Sequence, residues 1–505
     1  MRLTCTARLA ICRAPLIGLA FAMASGAAAP LRAATSEHAI VISVDGMHSI
    51  DLANYVRSHP DSTMARLSRR GISYPNARTP LLGDSSPGLL SIATGGGPAI
   101  TGIIYSPTYD RALSPPTSKD CAERGTVVYI DEKSVLDKSR EDSGGGIDPD
   151  KLPRDPAHGC SPVYPHQMVR VNTIFEVVRA AGGRTAWIDQ HEMYNDFLRG
   201  PSGKGLDDSR ALERKGTSQD YAGFTAQDSR RVELLLNQIR GLDSSGKQRV
   251  GVPKLFGMGF VVFGALQKSA GYADAAGGLG GAKLAGALAL VDQSLGRIVA
   301  ELESHKLMES TLIVLTSKHG QSPIDLNRRR AIDRNVIRNA VNSVRKDLLA
   351  HGSLDTIGLL WLKDSSKAEA VALALRANQT SAGIQKIYWG EAARMLVGSP
   401  AQDTRAPDLI VQPELGVFFA DNLESPETKA LLAEHGGMLD EDTNVPLLLS
   451  FAGAAGTENK AAVQTSQIAP TILDALGIDR NALDAVRLEH TPALPGAPWL
   501  PARRK

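Results

Sequence analysis

The run Ala39-Ile-Val-Ile-Ser-Val-Asp-Gly-Met47 constrains this chain more than any other stretch. Its apolar, β-branched residues read as a parallel strand buried on both faces, and the run stops at one carboxylate, Asp45, followed by glycine. In open α/β sheets the carboxyl ends of the strands form the crevice that holds ligands. A second run, Thr311-Leu-Ile-Val-Leu-Thr-Ser317, ends in Lys318-His319-Gly320. Two strands distant in sequence are thus expected to bring Asp45 and His319 to one crevice, where a metal site becomes feasible.

The remaining chain continues the alternation. Ser62 to Arg70 suits a short helix and Gly71 onward a strand running into a loop. In Gly83-Asp-Ser-Ser-Pro-Gly-Leu-Leu-Ser-Ile-Ala-Thr-Gly-Gly96, Pro87 suits the first helical position, a serine before it the N-cap, and Gly95-Gly96 the stop. The serines then lie at a helix N-terminus, an end that attracts anions. Asn172 to Ala181 reads as a helix, Gly183 to Ile188 as a strand tipped by Asp189 and His191, Pro253 to Phe263 as a strand, and Ala282 to His305 as a helix. This pattern predicts an α/β fold with a mostly parallel central sheet and helices on both faces. Residues 322–411, with a basic helix from Arg328 to Lys346, a strand from Thr356 to Leu362 and a polar helix from Ser366 to Asn378, are expected to form a smaller inserted α+β subdomain. One domain then spans 35–480, with 481–505 as a C-terminal tail. Gly200-Pro-Ser-Gly-Lys-Gly205 lacks the spacing of a nucleotide P-loop and follows no strand.

Charge is near balance, 56 Lys and Arg against 54 Asp and Glu, which leaves no field suited to nucleic acid and points to small-molecule partners. Arg2, Arg8 and Arg13, the apolar stretch Ala14 to Ala29 and the small residues through Ala34 fit a signal peptide over residues 1–34. The alternative is a membrane anchor, but the stretch is short of the ~20 residues a spanning helix needs. Removal of the signal implies a periplasmic or secreted protein with no membrane segment, and takes Cys5 and Cys12 with it. Cys121 and Cys160 remain, either as a disulfide tying down the Pro- and Gly-rich excursion 114–165 or as two free thiols. Oligomeric state is not legible.

Five landmarks, in this order and spacing, resemble the alkaline phosphatase superfamily and, within it, the type I phosphodiesterase/nucleotide pyrophosphatase family. They are Val44-Asp45-Gly46, the Ser-Ser-Pro-Gly…Ala-Thr-Gly helix start, Ser317-Lys318-His319-Gly320, Glu434-His435-Gly436-Gly437, and Gln467-Ile-Ala-Pro-Thr-Ile-Leu-Asp-Ala-Leu-Gly477. The resemblance implies an alkaline phosphatase-like catalytic domain that cleaves a phosphate ester, a diester or nucleotide pyrophosphate, with divalent metal, zinc in that family. Its two ions stand about 4 Å apart and clamp the attacking and leaving oxygens. Carried over by position, Ser85 is the nucleophile and a metal contact, with Ser86 as fallback. Asp45, Asp274, His319 and His435 are metal ligands; apart from the resemblance, Asp189 and His191 at their strand tip are expected at the substrate or the metal, and Tyr109, after the nucleophile helix, at the substrate.

Two positions depart from the family pattern. Lys318 stands where the family has an Asp ligand, and Gly278 where it has a His. Each zinc position thereby lacks one ligand, so one ion or two are open. Lys318 is expected to supply positive charge to a phosphoryl oxygen. The alternatives are a one-metal sulfatase or phosphonate-ester hydrolase, although Ser85-Ser86-Pro87-Gly88-Leu89 lacks the arginine of the sulfatase motif, and an inactive homologue that only binds a phosphate ligand.

Overall fold

The structure is a computed structural model that describes residues 36–128, 135–137, 139, 146–212, 221–279, 281–398 and 401–499. The expected signal peptide lies outside them. An eight-stranded sheet comprises β1 (His38–Val44), β2 (Gly71–Ser73), β3 (Ala186–Asp189), β4 (Asp208–Ala211), β5 (Leu255–Phe260), β6 (Thr311–Thr316), β7 (Leu447–Ser450) and β8 (Thr457–Glu458), in the order β8-β2-β7-β6-β1-β5-β3-β4. β1 runs parallel to both β5 and β6, and β5-β3-β4 continue parallel, while β7 is antiparallel to its neighbours.

The alternation of side chains along β1 divides the core. Ala39 and Val41, with Leu312 and Val314 of β6, face the helices Ser85–Thr94, Ile174–Ala180 and Ile468–Ala475. Ile40 and Ile42, with Ile313 and Leu315, face Tyr221–Ile239, Val262–Ala270 and Gly281–Ser304. Every residue of β1 after His38 is buried, which is why the strand reads as continuously apolar. Leu483, Val486, Leu494 and Trp499 add to the first of these cores.

Two boundaries differ from the sequence expectation because distant residues set them. The run expected to remain a strand to Phe263 ends at Phe260, since the buried Asp228 carboxylate accepts the backbone N–H groups of Val261 and Val262 (3.1 and 2.8 Å) and a helix starts there. The basic helix begins only at Arg334, because Arg330–Asp333 is drawn into a parallel pair with Val417–Ala420. Around that pair stands a four-stranded antiparallel sheet, ordered Leu349–Leu354, Gly358–Leu362, Leu409–Pro413, Ile384–Trp389. One face carries Leu360 and Leu362 against the helices Arg334–Val344 and Ala368–Ala377. The other presents Leu359, Trp361 and Ile410 to Leu82, Ile104 and Tyr105, beside the start of the Ser85–Thr94 helix. Cys121 and Cys160 are disulfide-bonded. No helix among the described residues is long and apolar enough to cross a membrane.

Asp442 braces the loop after β6: its carbonyl accepts from Gly320 N–H (2.8 Å) and its carboxyl from Ser322 Oγ (3.0 Å). Burial, reinforced by Glu441, pushes this carboxyl up from 3.8 to about 7. A carboxyl whose folded pKa is raised stabilises the fold fully below its unfolded value, and that contribution disappears as pH rises through the folded value. The loss is about 1.4 kcal/mol per pH unit over that window. Asp442→Asn should therefore unfold at a higher temperature than wild type at about pH 8.5 and show no advantage near pH 4, measured by thermal melts. Equal melting shifts at both pH values would refute this.

Candidate active site

Two glycines allow the elements to converge. Gly46, just after the Asp45 strand tip, has φ +71°, and a Cβ there would lie 2.1 Å from Gln267 Oε1. A Cβ on Gly88 would lie 1.9 Å from the Lys318 carbonyl, so this glycine lets the first turn of the Ser85–Thr94 helix press against the end of β6. The helix begins earlier than the sequence suggested. Asp84 is the N-cap, in extended geometry, and Ser85 is the first helical residue, with Gly95 ending the helix in the left-handed region.

Ser85 thereby faces two histidines. Its Oγ lies 3.0 Å from His319 Nε2 and 3.4 Å from His435 Nε2, and the two imidazoles stack with centroids 3.9 Å apart and planes 12° from parallel. His319 Nδ1 is 2.8 Å from the Gly320 carbonyl, an acceptor only, so Nδ1 carries the proton and Nε2 accepts from Ser85. Burial, with the nearby charges of His435 and Lys318, holds His319 well below the ordinary histidine value, so it is neutral at neutral pH. Lys318 Nζ pairs with Asp45 Oδ1 at 3.0 Å and sits 4.3 Å above the Tyr194 ring. Asp45, Asp84, Ser85, His191, His319 and His435 all line one cavity of about 410 Å³.

Lys268, at the last turn of the helix after β5, lines this cavity and ion-pairs with Glu434, whose Oε1 is also 2.7 Å from His435 Nδ1. Burial alone would raise Glu434; the Lys268 ammonium and His435 overcome it and hold the carboxylate well below its usual range. Lys268 is likewise held up by Glu434 against the effect of burial. A second cavity of about 420 Å³, towards the inserted sheet, shares Lys268 with the first and is also lined by Glu434.

Three sequence candidates lie elsewhere. Asp274 is exposed, and its carboxylate accepts from Ala276 and Gly278 N–H (2.9 and 3.0 Å), so it closes its own turn and reaches no ligand position. Asp189 is buried at the β3 tip, accepting from Trp187 Nε1 (2.7 Å) and Gln190 N–H (2.8 Å), while its neighbours Gln190 and His191 line the cavity. Tyr109 stacks on His351, and Ser106 and Pro107 take the wall in its place. Asp110 and Arg111 do not pair with each other; they tie to Arg405 and Asp408. Asp84, Lys268 and Gln321 were not singled out from the sequence, whereas the stretch His191 to Tyr194 reads there as pocket lining and both its ends line the cavity. Asp84 carried a signal in its place directly before Ser85, and Lys268 as the one charge in the helix Val262–Ala270.

An open, mostly parallel sheet with its candidate chemistry at the strand tips and one helix start would fit many enzymes; likeness to known proteins narrows it to an alkaline phosphatase-like α/β fold. The chain belongs to the type I phosphodiesterase / nucleotide pyrophosphatase family, which it matches over residues 39–438. Its fold is similar to that of murine ectonucleotide pyrophosphatase/phosphodiesterase 5, with a TM-score of 0.57 at 14% identity, covering 88% of this chain and 96% of that one. An inactive threonine-to-alanine form of the murine protein, in complex with AMP, matches with a TM-score of 0.56 at 13% identity over the same shares of the two chains. No curated protein sequence matches. The family comprises phosphoric ester hydrolases that generally depend on divalent metal.

The side chains here do not fit that metal. The Lys318 ammonium occupies the Asp45 carboxylate, Asp274 faces solvent, and among the described residues no group of three or more His, Cys, Asp or Glu side chains is arranged to hold an ion. Of the ligands that the family pattern implies, Asp45 is thus engaged by Lys318 and Asp274 by its own turn.

Proposed function

We propose that the chain hydrolyses a phosphodiester or nucleotide pyrophosphate, with Ser85 as nucleophile, after export to the periplasm or medium. The observation that carries this reading is the Ser85 hydroxyl at a helix start, 3.0 Å from the unprotonated nitrogen of a buried neutral histidine. A serine hydroxyl is a weak nucleophile until an adjacent base takes its proton. Ser85 Oγ forms a bond to phosphorus as the bond to the leaving oxygen breaks, and its proton passes to His319 Nε2. The leaving oxygen takes up a proton from water on departure, and His319 gives its own back to solvent, which returns the imidazole to its neutral form. In the second half His319 takes a proton from water, the resulting hydroxide attacks phosphorus, and Ser85 Oγ leaves as a hydroxyl. Lys318 offers a buried ammonium to the phosphoryl oxygens, where charge is worth more than in water. The AMP complex of the murine relative supports a nucleotide substrate, and the Cys121–Cys160 disulfide supports an oxidising compartment.

Bis-para-nitrophenyl phosphate should be turned over faster than para-nitrophenyl sulfate by at least about 100-fold, a difference of roughly 3 kcal/mol in transition-state stabilisation. Faster release from the sulfate ester would reject the phosphodiesterase reading in favour of a sulfatase.

A further inference from the structure

Each carboxylate that borders the Ser85 hydroxyl and its two imidazoles, Asp84 apart, already has a cation bonded to it. Asp45 holds the Lys318 ammonium, and Glu434 holds that of Lys268. Both lysines arise from the main sheet's own elements, one directly after β6 and the other on the helix that follows β5, so they approach the cavity from rigid supports. Lys318 is 4 % exposed, with its ammonium bonded to Asp45 and held over the Tyr194 ring, two residues that line the cavity. A divalent ion on Asp45 would have to stand beside that buried ammonium, and a poorly screened like-charge contact is strongly unfavourable.

We propose that Lys318 and Lys268 take the cation positions of this site, so that it excludes divalent metal and meets its phosphate ester with two fixed ammonium groups. This rests on the phosphoesterase reading for its substrate, and on the ion-pair geometry alone for the exclusion of metal. Two single charges in place of two divalent ions also set the substrate class. The pair is balanced by Asp45 and Glu434, so the site suits the single negative charge of a diester over the double charge of a monoester. Lys268 becomes a second cationic residue of the reaction, fixed by Glu434, which through His435 also steadies the imidazole stack.

The test uses the purified mature protein. Elemental analysis should find far less than one zinc, manganese or iron per chain, and zinc titrated in a calorimeter should give no site-specific heat. Turnover of bis-para-nitrophenyl phosphate should stay within about twofold after chelation or after addition of zinc, manganese or magnesium, and para-nitrophenyl phosphate should be the poorer substrate. Lys268→Met and Lys318→Met should each lower kcat by about 100-fold with the circular dichroism spectrum unchanged, and Lys318→Asp should acquire a zinc-dependent rise in melting temperature that wild type lacks. Stoichiometric metal in wild type, or turnover lost to chelator and restored by metal, overturns the proposal. A wild type that neither binds zinc nor cleaves any ester upholds the exclusion of metal and rejects hydrolysis, so the two readings fail separately.

Discussion

Ser85→Ala lowers kcat on a phosphodiester by about 10³-fold or more, with KM little changed, the scale expected when a covalent nucleophile is removed. The substitution is mild in every other respect. Asp84, not Ser85, caps the helix, alanine favours helix at the first turn, and the lost hydroxyl points into an open cavity, so the melting temperature should stay within the range of a neutral surface change, about 0.5 kcal/mol. Ser86 is the informative control. It is fully buried and accepts a hydrogen bond from Ser106 Oγ at 2.7 Å, so it holds the loop from inside. Ser86→Ala should cost stability and leave most of the turnover. A stopped assay with Ser85→Ala and a melt of both variants decide the matter: retained turnover in Ser85→Ala would move the chemistry to another group.

The parts of this site that were legible in the sequence are those set by short-range order. Asp45 and His319 each end an apolar run, and a run buried on both faces of a parallel sheet has few alternatives to being a strand, so its tip is placed as well. Ser85 stood out because Pro87 and Gly95 bracket a helix by local sterics. The failures come from residues whose role is fixed across the fold. Asp228, far upstream, stops β5 and starts the helix that carries Lys268; read as a strand, that segment would have pointed Lys268 elsewhere. The partner of Lys268 is Glu434, 166 positions away, and nothing local announces the pair. Asp274 was placed at the site by its spacing to a position four residues on, but with Gly278 there the carboxylate turns back to take the Gly278 N–H, the ordinary use of an Asp in a turn. Lys318 reads from the sequence as a cation standing where the family has an acid. Its ion pair with Asp45 required both strand tips to be seen together.

Replacing the base is the second large effect. His319→Ala should lower kcat/KM by about 10³-fold, within the range of lost general-base catalysis, and His319→Gln should not restore it, because an amide cannot take the Ser85 proton. The wild-type pH profile carries the more specific signature. A general base works in its neutral form, and burial first, then the charges of His435 and Lys318, set His319 well below 6.5. Activity is therefore lost only as pH falls through that lowered value, and kcat/KM should be flat from about pH 9 down past 6.5 before the acid limb begins. Lys318→Met removes one of the charges that oppose imidazolium, so its acid limb should lie at higher pH than that of wild type, in addition to its lower rate. A purely structural role for Lys318 would lower the rate without moving the limb. Profiles of kcat/KM for wild type and Lys318→Met on one uncharged-leaving-group diester separate these cases, and a wild-type limb at or above 6.5 would remove His319 from the role of base.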